Sequence, residues 1–313
     1  MPLRKDSFKR PIVWIPIVLA ALVCGSVAHP GGRARIRLLD AKIRGRLPVV
    51  TWTEVLAALP PQRWRDSPPV PHPLDLTAGQ VTFERIDPGD ACPVLWATPL
   101  GEIWGRMEDE NLLEWLVGEQ LFLRVYDNEH IQVRSGDTVL DLGAHLGTFV
   151  DFALHHGAGK VIAFEPEPTN VKCLQKTFAE EIRAGTVVLI DAAVSDHSGE
   201  LRFAEPTGHH ASARGMLADD GELVVRATTI DETAASLGLQ AVDFIKMDIE
   251  GAERLALAGA RETLRRFEPR MAICVYHRDD DREVIPPLVL ALHPSYGHAM
   301  AQNQAYFFPA AGP

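Results

Sequence analysis

Apolar and polar positions follow two regimes on either side of residue 111. From Leu47 to Pro99 prolines interrupt every run and no long periodic segment survives, whereas beyond residue 111 short apolar runs alternate with stretches of helical spacing. Asn111 to Leu123 carries apolar residues at helical intervals and predicts a helix covering one edge of a sheet. Thr138 to Leu142 is a short, mostly apolar run of the kind buried in a parallel sheet. It enters a turn bracketed by Gly143 and Gly147, and a helix runs on to about His156. The alternation continues through strand Val161–Phe164, a helix from about Glu167 to Arg183 and strand Val187–Ile190. It resumes with a charged strand from Asp243, helix Ala252–Phe267, strand Met271–Tyr276 and helix Pro286–Leu292. Tyr296–Ala301 and Ala305–Phe308 read as a closing antiparallel hairpin turned at Gln302-Asn303-Gln304. Gly199–Ala204 and Leu223–Thr228 read as an added β pair, and Thr229-Ile230-Asp231-Glu232 as the start of a short helix. The pattern predicts an α/β fold over residues 111–313, with a mostly parallel, Rossmann-like sheet of seven strands.

The N-terminal part reads differently. Ile12 to Ala28 carries no charge and is about as short as a bilayer-spanning helix can be. Three readings stand: a membrane anchor, a signal peptide cleaved near Ser26-Val27-Ala28, or a buried or interfacial helix. Four Lys and Arg precede the segment and six follow it by residue 46, which tilts the balance towards a cytoplasmic C-terminal side. The favoured expectation is a hydrophobic N-terminal helix associating the protein with a membrane, the main domain facing the cytoplasm; secretion is the alternative. Residues 47–110 read as a proline-rich linker and accessory segment with a short helix at Glu54–Leu59. Trp52, Trp64, Trp96 and Trp104 would serve as packing anchors.

Charge narrows the partners. Residues 1–46 hold ten Lys and Arg against two Asp and Glu, while the remainder holds 21 against 40. A surface this acidic excludes nucleic acid as the main domain's partner. The four cysteines, Cys24, Cys92, Cys173 and Cys274, are widely separated and form no C-x-x-C pair, so neither a zinc site nor a disulfide framework is expected, and a reduced compartment fits them best. No metal site is expected elsewhere. His155 and His156 belong at a helix end, where they favour the negative dipole, and His209 and His210 in a solvated loop.

The candidate chemistry lies where strands end. The Gly143-Ala144-His145-Leu146-Gly147 turn offers helix N-terminal N–H groups beside Asp141 at the mouth of the sheet, where nucleotide-like cofactors bind. The second glycine of a dinucleotide fingerprint would fall at His145, which argues against a pyrophosphate-binding oxidoreductase. Glu165, 24 residues after Asp141, ends the second strand where a carboxylate can accept from both hydroxyls of a ribose. Asp191 and Ala192 would border an adenine. The stretch from Asp243 to Glu253 is too charged for a structural core strand, so Lys246, Asp248 and Glu250 have a task or, for Lys246 and Asp248, pair with each other. His277, ending the next strand, is the first candidate for a general base and Glu250 the second.

These motifs together resemble the FkbM family of S-adenosylmethionine-dependent methyltransferases. They are Val139 to Gly147, Phe164-Glu165-Pro166, Asp191 to Ser195, Thr229-Ile230-Asp231 and Asp243-x-x-Lys-x-Asp-x-Glu-Gly-Ala-Glu253. The likeness covers about Gly118 to Phe308, and its one departure is His145, where the family typically has asparagine. It implies a class I methyltransferase fold, S-adenosylmethionine as cofactor, and a hydroxyl acceptor on a sugar, glycolipid or secondary metabolite. In that reading Asp141, Gly143, Ala144, His145, Gly147, Glu165, Asp191, Ala192 and Asp248 contact the cofactor, while His277, Asp248 and Glu250 serve catalysis. A catalytically inactive, anchored module of the same fold is the competing reading.

Overall fold

A computed structural model describes residues 80–204, 216–217, 221–301 and 303–310. The segment 12–28, the helix at 54–59, Trp52, Trp64, His209 and His210 lie outside the described residues. Among the described residues no helix is long and apolar enough to cross a membrane.

The described chain opens with an antiparallel sheet of β1 (Thr82–Ile86), β2 (Val94–Ala97) and β3 (Glu102–Gly105), followed by α1 (Glu110–Gly118). Then come β4 (Thr138–Leu142), α2 (Thr148–His155), β5 (Lys160–Phe164), α3 (Pro168–Thr177), α4 (Ala179–Ala184) and β6 (Val187–Ile190). A second small sheet holds β7 (Ala193–Val194), β8 (Gly199–Ala204), β9 (Met216–Leu217) and β10 (Leu223–Thr228), with β8 and β10 antiparallel as expected. The chain continues through α5 (Ile230–Ser236), β11 (Phe244–Met247), α6 (Glu253–Ala258), α7 (Arg261–Phe267), β12 (Arg270–Cys274), α8 (Asp281–Leu292), β13 (Tyr296–Ala301) and β14 (Gln304–Pro309).

The central sheet has seven strands in the order β13-β14-β12-β11-β4-β5-β6. All its pairs are parallel except the two made by β14. Its strands read as continuous apolar runs because both faces are covered. Val139, Val161, Ala163 and Phe244 enter one core, and Leu140, Leu142, Ile162, Phe164, Ile245 and Met247 enter the other. Chain order reverses between β11 and β4, and open α/β sheets bind ligands in the crevice beyond such a switch point.

Three expectations need correction. Residues 82–105 are more than a linker with short ordered pieces: Trp96 and Trp104 are buried, and Trp104 N–H donates to Thr177 Oγ1 at the end of α3. The strands are four or five residues long and β1 is exposed throughout, so they carry little periodic signal. Second, Cys92 and Cys173 form a disulfide across 81 residues of sequence, which ties the loop before β2 to α3 and removes the argument for a reduced compartment. Linear spacing cannot show a pair that only tertiary packing assembles. Cys274 remains a buried thiol. Third, the long helices divide, the first at Phe178 between α3 and α4 and the second at Gly259 and Ala260 between α6 and α7.

Candidate active site

The turn after β4 is shaped by protein contacts. Gly143 has φ +82, and a Cβ there would stand 2.0 Å from the carbonyl oxygen of Asp248. Gly147 has φ +89, and its Cβ would meet the Phe178 ring at 2.3 Å. The glycines thus admit a crossing backbone and an aromatic ring, a different reason from the close cofactor approach expected of them. His145 has φ 52, a left-handed conformation in which asparagine and histidine are the more frequent non-glycine residues. The departure from asparagine therefore keeps the turn.

Glu165 holds this turn to the end of β5. It is 5% exposed; Oε2 accepts from His145 N–H at 2.8 Å, and Oε1 from Glu167 N–H at 2.9 Å and Asn170 Nδ2 at 3.4 Å. Burial raises its pKa above the usual carboxylate range against the pull of those donors. With three donors on its two oxygens, the carboxylate keeps some acceptor capacity.

Lys246 ties the sheet to the turn from below. The parallel register of β11 and β4 sets it opposite Asp141, and its Nζ lies 2.9 Å from Asp141 Oδ1 and donates to Gly143 O at 2.6 Å. The pairing of Lys246 with Asp248 is thereby replaced by one with Asp141. Burial opposes the charge on Lys246, but Asp141 and Asp248 raise its pKa and keep it protonated.

Asp248, just past β11, belongs to a different cluster. Its Oδ2 accepts from buried Tyr126 OH at 2.7 Å, its Oδ1 from Tyr276 OH at 3.5 Å, and His277 Nε2 lies 3.3 Å from Oδ1. The same Nε2 is 3.5 Å from Glu250 Oε2, and Nδ1 is 2.9 Å from Glu253 Oε1. Burial disfavours the imidazolium, yet pairing with Asp248 and Glu253 outweighs it and lifts His277 to about 10. Burial acts against Asp248 too, but His277, Lys246 and Tyr126 together hold it well below the usual carboxylate range. Glu250 sits at φ 55, so its placement over His277 is held in a backbone conformation uncommon for its type.

Turn and cluster face one cavity of about 610 Å³, within the range of small-molecule sites. Gly143, Ala144, His145, Glu165, Ala192, Asp248 and Glu250 line it, while α1 contributes Leu112, Trp115 and Leu116, a cavity wall rather than only an edge cover. Asp141 and Gly147 act from behind the wall. Asp191 is not brought in: it is exposed, and the chain turns there so that only buried Ala192 faces the cavity.

A family model described as the Methyltransferase FkbM domain matches residues 141–303, just over half the chain. The chain belongs to the FkbM methyltransferase family. Among curated FkbM relatives it is 30% identical over 171 residues to the 31-O-demethyl-FK506 methyltransferase of Streptomyces tacrolimicus, covering 44% of this chain and 65% of the relative. It is 28% identical over 163 residues to the hexuronic acid methyltransferase AglP of Haloferax volcanii, covering 52% and 62%. The matched part thus spans less than two thirds of either relative's length. A crystal structure of a methyltransferase FkbM from Methylobacillus flagellatus is similar at 24% identity and a TM-score of 0.44, over 56% of this chain and 44% of that one.

Membership of the FkbM family implies S-adenosylmethionine, and the cavity accommodates it chemically. Asn170 Oδ1 at its wall is buried without a hydrogen-bond partner, beside the carboxylate of Glu165. Sequence reasoning missed Tyr126, Tyr276 and Glu253 as members of the charged cluster. Tyr276 adjoins His277, but Tyr126 lies in no motif and reaches Asp248 from 122 positions away.

Proposed function

We propose that this FkbM-family chain methylates a hydroxyl oxygen, on a sugar, glycolipid or secondary metabolite, with S-adenosylmethionine as donor. The observation that carries the reading is the single cavity joining buried Glu165 at one end to Asp248 and Glu250 at the other. The donor would supply a methyl group already activated on sulfur. Glu165 would accept from the ribose hydroxyls, the turn from Gly143 to His145 would hold the methionine part, and Ala192 with neighbouring Val194 would border the adenine. Asp248 and Glu250 would face the acceptor. His277, raised to about 10, already carries its proton at neutral pH, so Glu250 is the better acceptor for the hydroxyl's proton in the protein alone. The acceptor's chemistry is supported by what the two curated relatives are named for, a 31-O position and a hexuronic acid.

Calorimetric titration of the full chain with S-adenosylmethionine and S-adenosylhomocysteine tests this, beside Glu165→Gln checked for folding by circular dichroism. Removing one charged acceptor from the diol should weaken binding about 10- to 100-fold. Binding of neither ligand by folded protein would favour the inactive module, and NAD(H) binding instead would revive the oxidoreductase.

A further inference from the structure

The charged cluster has more negative groups than the transfer of one proton requires. Asp248, Glu250 and Glu253 surround the imidazole of His277, while Lys246 is engaged with Asp141. One donor atom each from Asp248, Glu250 and His277 fall within 4.8 Å of one another. Adjacent ligands of an octahedral ion with bonds of about 2.1 Å stand about 3.0 Å apart and opposite ones about 4.2 Å. The contacts of 3.3 and 3.5 Å from Nε2 to the two carboxylates are close to the adjacent spacing.

The histidine is what separates this cluster from a chance gathering of acids. Its side chain is 4% exposed, and neither ring nitrogen has a well-aligned hydrogen bond to the protein, although the ring is aimed into the cluster. Glu253 is fully buried, its Oε1 fixed by Ile249 N–H at 3.0 Å and placed 2.9 Å from Nδ1. That leaves Nε2 directed at Asp248 and Glu250, the carboxylate-histidine-metal arrangement that second-sphere acids produce. Tyr126 occupies the far oxygen of Asp248.

We propose that Asp248, Glu250 and His277 bind one divalent cation of the Mn²⁺ or Mg²⁺ class, with Glu253 and Tyr126 as positioning residues. Two carboxylate oxygens and one imidazole favour such an ion, and three protein ligands leave positions open towards the cavity. The ion sits between the imidazole and the two carboxylates. Its further role, holding the acceptor hydroxyl, rests on the methyltransferase reading. There the hydroxyl oxygen bonds to the methyl carbon, the carbon–sulfur bond breaks with its electron pair going to sulfur, and the hydroxyl proton leaves to bulk water, because Glu250, its acceptor in the protein alone, is then held by the ion.

The test is Mn²⁺ titration of the chelator-stripped full chain, followed by the loss of the free-ion electron paramagnetic resonance signal, with Mg²⁺ as competitor. One saturable site is expected. Affinity should fall at least about tenfold in Glu250→Gln and in His277→Ala, and by a similar factor in Glu253→Gln. Folding is checked by circular dichroism, and Glu250, 23% exposed against 4% for His277 and 1% for Glu253, gives the variant that disturbs the core least. No Mn²⁺ binding by folded native protein, or equal binding by native protein and all variants, would overturn the site. S-adenosylmethionine binding is measured on the same samples. Donor binding without Mn²⁺ binding defeats the cation alone, and Mn²⁺ binding without donor binding supports the cation while defeating the methyltransferase reading.

Discussion

The two ends of the cavity are built on opposite principles. At the Glu165 end, one carboxylate meets main-chain N–H groups of two strand-end turns, at Glu167 beside it and at His145 after β4, so the end is a piece of backbone architecture with its acceptors only partly used. At the Asp248 end, side chains from three segments, at Tyr126, at Asp248 with Glu250 and Glu253, and at Tyr276 with His277, meet only through tertiary packing, and charge rather than backbone pairing decides their state. The first kind of end can recognise a ligand common to many proteins. The second can be retuned by one substitution, which suits the half of a reaction that differs between relatives.

The largest expected effect tests the link between the ends. Lys246→Met leaves Asp141 buried without its cation and frees the Gly143 carbonyl, so unfolding free energy should drop by about 3–5 kcal/mol in denaturant titration. A loss below about 1 kcal/mol would mean that the ends are held together by packing alone. The disulfide supports only the Glu165 end, since α3 carries Asn170 in its first turn. Cys92→Ser with Cys173→Ser should cost about 2–4 kcal/mol of stability. Donor affinity should weaken more than Mn²⁺ affinity, and the reverse order in paired titrations would contradict this division.

Asp151 on α2 supplies a contrast with Asp141, being a largely buried acid with the exposed His155 for a cation, 3.4 Å away. Burial raises its pKa to about 6. A carboxyl group with a raised folded pKa adds stability below its unfolded value near 4, and this is lost as pH climbs through about 6. Asp151→Asn should therefore gain relative to the native chain by about 2 kcal/mol between pH 4 and pH 7 in thermal unfolding, and a pH-independent difference would refute the assignment. The smallest effect belongs to the mouth. Tyr126→Phe removes one hydrogen bond to Asp248 and should lower stability by about 1 kcal/mol. Mn²⁺ binding should weaken while S-adenosylmethionine affinity stays within about twofold, since that hydrogen bond serves the ion site.

The same contrast explains what could be read before the structure. Gly143 to Gly147, Glu165 and the Asp248-Ile249-Glu250 stretch were legible because each is a strand end followed by its own turn, information carried by neighbouring residues. The sheet was legible for the same reason, as both its faces are covered and its strands are apolar runs. Tyr126, the service of Glu253 to His277, the Cys92–Cys173 bond and the pairing of Lys246 with Asp141 depend on parallel register or on packing across scores of residues. Asp191 stands outside the cavity lining because of a one-residue turn at the end of β6 that local pattern does not encode.

At Gly143 the carbonyl of Asp248 passes where any side chain would stand. The turn after β4 and the segment after β11 therefore cannot drift apart as independent modules, because a shift of either backbone would press on the other. Change at the site is then channelled into side chains on the cavity wall away from that crossing, such as Leu112, Trp115 and Leu116 on α1. A library confined to those three positions would alter selectivity while leaving the methyl donor's seat in its inherited form.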